Sequence, residues 1–158
     1  ADFFEGDGSR LTGITGSSAD AIFSEKSPTQ AFTTSSIAIG ADLTPLATMH
    51  VVGSSFVSGS VIHKRKVVSS NYTVSTTDYY IGVDSSASTV KLTLPIATNM
   101  LDGQTIVVKD EGGAAHTNNI TISGSSSDTI DGQNQVILES PYASIQLYCD
   151  GTNKFFIC

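Results

Sequence analysis

The chain has 158 residues, 39% of them hydrophobic, with 41 Ser or Thr, 14 Gly and a formal charge of −7 from 15 acids against 8 bases. That length suits one domain plus an arm, or two small modules, and the Ser/Thr/Gly bias favours strands and turns over helices. The acidic balance, with no basic stripe, argues against nucleic acid as a main partner, and no apolar run approaches the roughly 18 residues of a membrane span.

The opening Ala1-Asp2-Phe3-Phe4-Glu5 lacks a basic start, so no secretory leader is expected. Residues 6–16 alternate glycine and small polar residues around two isolated apolar side chains, Leu11 and Ile14. Residues 1–30 are therefore expected to form an extended anchoring arm in which Leu11 and Ile14 plug into another protein, with one helical turn over 19–23. Residues 31–66 hold scattered apolar positions, among them Ile37, Ile39, Leu46, Val52, Phe56 and Val61. Their weak periodicity predicts short strands, or extended chain laid against a neighbouring subunit. The only basic cluster is His63-Lys64-Arg65-Lys66. A solvated linker explains it most simply, and contact with an acidic subunit or surface polyanion is the alternative.

Clear strand patterns begin at Val67. Runs at 67–74, 78–83, 90–95, 104–109, 119–123, 135–138, 144–149 and 154–158 are separated by turn residues. Val90, Leu92 and Leu94 alternate strictly onto one face, and Pro95 ends that strand or places it at an edge. No helical pattern lies between strands, so a βαβ sheet is not expected. The prediction is an all-β body over 67–158, an antiparallel β-sandwich or jelly roll.

Asp150–Asn153 reads as the loop of a terminal hairpin. Cys149 would then face Lys154 and Cys158 would face Ile145, too far apart for a disulfide, whose α-carbons must lie within about 7 Å. Two buried free thiols are expected. In that register Ile145, Leu147 and Phe156 share one face, and Tyr148, Phe155 and Ile157 the other. A sheet apolar on both faces needs a second cover, from residues 37–61 or from a symmetry mate.

No catalytic, cofactor or metal set emerges. His50, His63 and His116 stand in separate contexts, and no Cys-x-x-Cys pair occurs. Asp128 and Asp131 could share a cation, although Asx-type turn capping explains them better. Gly6-Asp7-Gly8-Ser9 lacks the ending of a phosphate loop. Aromatic residues beside short polar ones suit saccharide or protein surfaces, and Tyr79, Tyr80 and Tyr142 are the candidate surface-binding residues, although one of the adjacent Tyr79 and Tyr80 is expected in the core.

The run Gly6-Asp7-Gly8-Ser9-Arg10-Leu11-Thr12-Gly13-Ile14 resembles a short Gly-Asp-Gly-Ser-x-Leu-Thr motif of virion proteins from tailed bacteriophages, especially those of cyanobacteria, with Arg10 in place of the usual third glycine. Asp102–Asp110, Ile120-Thr121-Ile122, Ile130-Asp131-Gly132 and Ser144–Phe155 are similar to small β-domains that end phage fibres and spikes. The resemblance implies a non-enzymatic homotrimeric fibre, spike or head decoration protein located in the virion. It also implies that the arm binds other virion proteins and that the body contacts a host surface glycan or protein. Two other readings stay open: a carbohydrate- or protein-binding β-sandwich module of a cellular surface protein, and a glycan-processing enzyme whose carboxylates converge only in space.

Overall fold

The computed structural model describes residues 24–27, 30–32, 37–39 and 46–158. Among these, fourteen β-strands occur with a single 3-10 turn at Ala97–Asn99. Leu11, Ile14 and the helical turn expected at 19–23 lie outside the described residues. The chain divides into two compact units, Ala1–Gly59 and Ser60–Cys158.

In the first unit, β1 (Ser24–Ser27) pairs antiparallel with β2 (Gln30–Phe32), and β3 (Ile37–Ile39) pairs parallel with β4 (Met49–Val51). From residue 52 to residue 64 the chain forms no strand, and large apolar side chains there face solvent. Phe56 in the first unit and Ile62 in the second are 92% and 93% exposed. Val52, Val57 and Val61 are exposed too.

The second unit is built from β5 (Arg65–Val68), β6 (Tyr72–Thr73), β7 (Tyr80–Val83), β8 (Val90–Thr93), β9 (Thr105–Asp110), β10 (Ile120–Ser123), β11 (Thr129–Ile130), β12 (Gln135–Leu138), β13 (Ser144–Cys149) and β14 (Lys154–Ile157). Six of them form a sheet in the order β11-β14-β13-β9-β7-β5, and four form a second in the order β12-β10-β8-β6. The inner faces share one core, in which Ile81, Val83, Ile106, Val108, Leu147 and Phe155 of the first sheet meet Val90, Leu92, Leu94, Ile120 and Ile122 of the second sheet and its flank. Among the described residues the chain is thus all-β, with a two-sheet, sandwich-like body.

The sheets are mixed, not antiparallel as expected. β5, β7 and β9 run parallel in one sheet, and β6, β8 and β10 run parallel in the other. Parallel neighbours require a crossover, and a helix usually supplies it. Here the crossover is a strand of the opposite sheet: the chain alternates between sheets and winds in coils, as in β-helical architectures. Antiparallel pairs of this unit occur in its C-terminal part, where β13 pairs with β9 and β14, and β12 with β10, while β11 pairs parallel with β14. The run expected as one strand over 67–74 is two, because Ser69-Ser70-Asn71 turns the chain from one sheet into the other. Asn71 fixes that corner by accepting a hydrogen bond from the Lys91 amide at 2.8 Å.

Buried carboxylates hold the corners. Asp110 accepts from the amides of Gly113, Ala115 and Tyr142 at 3.0, 3.1 and 3.0 Å. Asp128 accepts from the Ala97 amide at 2.8 Å and so caps the 3-10 turn after Pro95. Asp131 and Gly132 have φ of 48° and 80° and lie inside the Ile130–Gln133 bridge, the two-residue turn that the right-handed twist of paired strands favours.

The terminal hairpin is shifted by one residue from the expected register. Cys149 pairs with Phe155, Tyr148 with Phe156 and Leu147 with Ile157. The cause is a longer loop. Asp150 Oδ1 accepts from the amides of Thr152, Asn153 and Lys154 at 2.8, 2.9 and 2.9 Å, drawing Lys154 into the turn. A one-residue slip exchanges the faces of a strand. Phe155 therefore joins Leu147 and Cys149 in the core, whereas Phe156 stacks on Tyr148 outside it, with ring centroids 5.2 Å apart. Cys149 is buried as expected, but Cys158 is exposed, with its amide on the Gln146 carbonyl.

Candidate functional site

The pleat of the six-stranded sheet sends every second residue outward. On its outer face the register aligns Arg65, Tyr80, Val107 and Gln146 in one row, and Val67, Gly82, Lys109 and Ser144 in the next. Thr105, Tyr148 and Phe156 form a third row. A groove of about 240 Å³ opens on this face, lined in part by Arg65, Tyr80, Val107, Lys109, Glu111 and Ser144.

Gly82 makes the groove floor. A Cβ there would overlap the Glu111 carboxylate, so the missing side chain is what lets Glu111 lie across β7. Arg65 reaches that carboxylate from β5, its Nε donating to Oε1 at 2.8 Å and its Nη2 donating to Oε2. The Arg65 guanidinium holds the Glu111 carboxyl below the usual carboxylate range, and Glu111 raises the arginine in return. The planar fork of arginine matches a carboxylate at both oxygens.

Tyr80 lies in the groove, 41% exposed. Tyr79 is half-buried, so neither member of the pair belongs to the core. Tyr79 precedes β7 and turns its ring onto His63, with parallel centroids 3.9 Å apart, while the Tyr79 and Tyr80 rings meet edge-on at 4.7 Å. His63 from the basic cluster thereby joins the two tyrosines in one aromatic group. Tyr142 stands at the other rim, 62% exposed, with φ of 58°. Its ring covers Gly113, and its carbonyl accepts a hydrogen bond from Lys109 Nζ. Lys109 so connects Tyr142 to the groove.

Sequence reasoning missed Tyr148 and Phe156 as a surface pair, because the assumed register put them on opposite faces. It also missed the meeting of Arg65 with Lys109 and Glu111, because Arg65 is far from that pair in sequence and reaches it only through parallel strand stacking. The two-residue spacing of Lys109 and Glu111 at the end of a strand-like run was the signal that could have placed them on one face.

The carboxylates considered for cation binding are engaged separately. Asp128 holds the Ala97 amide, and Asp131 accepts a long 3.4 Å contact from the Ile157 amide. Asp78 accepts from the Tyr72 hydroxyl at 2.7 Å and from the Ser75 amide at 2.9 Å. The outer face thus carries aromatic rings beside hydrogen-bonding and charged groups. Comparison of the chain with known protein families and with curated proteins returned no match.

Proposed function

We propose that this chain is a non-enzymatic structural and attachment component of a virion, a fibre, spike or head decoration, working as a homotrimer. The observation that carries the reading is the exposed apolar stretch over residues 52–62. Solvent-facing Phe56, Val57, Val61 and Ile62 carry a hydrophobic cost that burial between subunits removes. A two-sheet body of short coils gives a rigid platform for attachment. The resemblance of residues 6–14 and 102–155 to phage appendage proteins supplies the number three and the virion location. The buried carboxylates Asp78, Asp110 and Asp128 hold backbone amides, a fold-holding role that supports a reading without catalysis.

In this reading residues 1–30 anchor the protein to another virion component through Leu11 and Ile14. The test compares particle incorporation of the full chain and of a chain lacking residues 1–30. Loss of incorporation, with the body still folded by circular dichroism, supports the reading. Undiminished incorporation of the shortened chain overturns the anchoring role. A binding module of a cellular surface protein is the second reading, favoured by the aromatic group of His63, Tyr79 and Tyr80; it requires no anchor.

A further inference from the structure

We propose that the outer face of the six-stranded sheet is a binding bed for an extended acidic saccharide, with Tyr80 and Tyr148 as stacking platforms and Lys109 and Lys154 as its cationic flank. This deepens the attachment reading by naming the surface and the ligand class.

Two observations carry it. The first is the spacing of the rings. Tyr148 pairs with Thr105 on β9, and Tyr80 pairs with Val107 on the same strand. Two interstrand steps and a two-residue offset put these tyrosines about 12 Å apart on one face of the sheet. Phe156 stacks against Tyr148, and Thr105, Val107 and Gln146 lie between the tyrosines, Thr105 and Gln146 as hydrogen-bonding groups and Val107 as an apolar one. Separated rings with both hydrogen-bonding and apolar groups between them match a chain of sugar rings, which offers apolar ring faces and hydroxyls in alternation. A compact single-ring ligand would leave one platform unused.

The second is charge. The chain is acidic overall, at −7. Yet Arg65, Lys109 and Lys154 point outward on this face at register positions where Glu111 is the one carboxylate among the outward strand positions and groove residues described. Glu111 is occupied by Arg65. Lys109 and Lys154 therefore leave the face net positive against the rest of the molecule. A second copy of this chain, docked face to face by two-fold symmetry, would set these cations against their own counterparts. A carboxylate-bearing saccharide complements both the rings and the charge.

The test uses isothermal titration of the full chain with an oligogalacturonate, a neutral oligoglucoside of equal length, and a polyglutamate peptide. The expected result is binding of the oligogalacturonate in preference to the other two. Tyr148→Ala should weaken it by about tenfold, the loss of one stacking platform. Lys109→Gln should reduce the preference for the acidic over the neutral sugar. Binding that is unchanged in the Tyr80→Ala/Tyr148→Ala double variant overturns the proposal, as does equal affinity for the neutral sugar. Polyglutamate binding as tight as the sugar's and insensitive to both tyrosines would assign the face to an acidic protein instead, and also overturns it. Absence of oligogalacturonate binding does the same. Light scattering on the same samples separates the two levels: a trimer that ignores the sugar keeps the structural reading, and a monomer that binds it keeps the saccharide bed alone.

Discussion

Arg65 grips both carboxylate oxygens of Glu111 across the bare backbone of Gly82. The pair joins the edge strand β5 to the end of β9 and bridges the strand between them. Because the arginine side chain is largely exposed, water screens the pair and its weight in global stability is small. Its role is to set the shape and charge of the groove.

Gly82→Ala tests this relationship. The new Cβ must displace the Glu111 carboxylate, which sits on a flexible side chain and can move. The fold should persist with little change in melting temperature. The titration of Glu111, followed by carboxyl NMR, should move up towards the ordinary glutamate value as Arg65 is lost. An unmoved titration would show that the pair does not depend on the missing side chain.

Stability should fall on acidification by a small amount, since water screens the exposed carboxylates involved. Glu111 is lowered chiefly by Arg65, Asp84 by the Ser86 hydroxyl and amide, and Asp150 by the amides of its hairpin loop. A depressed carboxyl means that the unfolded chain binds the proton more readily. The contribution is therefore present above the unfolded carboxylate pKa and is lost as pH falls through the folded values. The melting temperature should hold between about pH 5 and 7 and decline below about pH 4. A melting temperature that rises between pH 5 and pH 3 would contradict these assignments.

Asp110→Ala should be among the most damaging surface-neutral changes. It leaves the amides of Gly113, Ala115 and Tyr142 without their acceptor at a buried corner. Unfolding in urea should show a loss of about 2–4 kcal/mol. A loss below about 0.5 kcal/mol would mean that water replaces the carboxylate, and that the corner is not held as described.

The two thiols should react at different rates. Cys158 is exposed, whereas Cys149 is buried and burial pushes its thiol up, keeping it from the reactive thiolate form. Maleimide should label Cys158 in the native protein, and Cys149 only after denaturation. Mass spectrometry of the labelled peptides reads the order directly, and equal labelling would contradict the hairpin register.

Most strand positions were legible in the sequence. The runs at 90–93, 120–123 and 144–149 carry the alternation that their two-faced environment demands, and those at 105–109 and 135–138 show as short apolar runs bounded by turn residues. Pairing was not legible. A short strand alternates in the same way whether its neighbour is parallel or antiparallel, and the absence of helices suggested hairpins because crossovers made of strands leave no distinct pattern. The hairpin register failed for a local reason: Asp150 binds three successive amides and lengthens the loop by one residue. Of the surface residues, the tyrosines were visible as types. Their grouping with His63, Arg65 and Lys109 depends on which strands stack, and that pairing is a long-range property.

The central claim is assembly, and the mass of the purified chain in solution tests it most directly. One chain weighs 16.5 kDa. Multi-angle light scattering should give a mass of about 50 kDa, three copies related by closed symmetry. Phe56→Asp combined with Ile62→Asp should reduce that mass while circular dichroism keeps its β signature, because these side chains face solvent within one chain. A stable 16.5 kDa species across micromolar dilution would contradict the account.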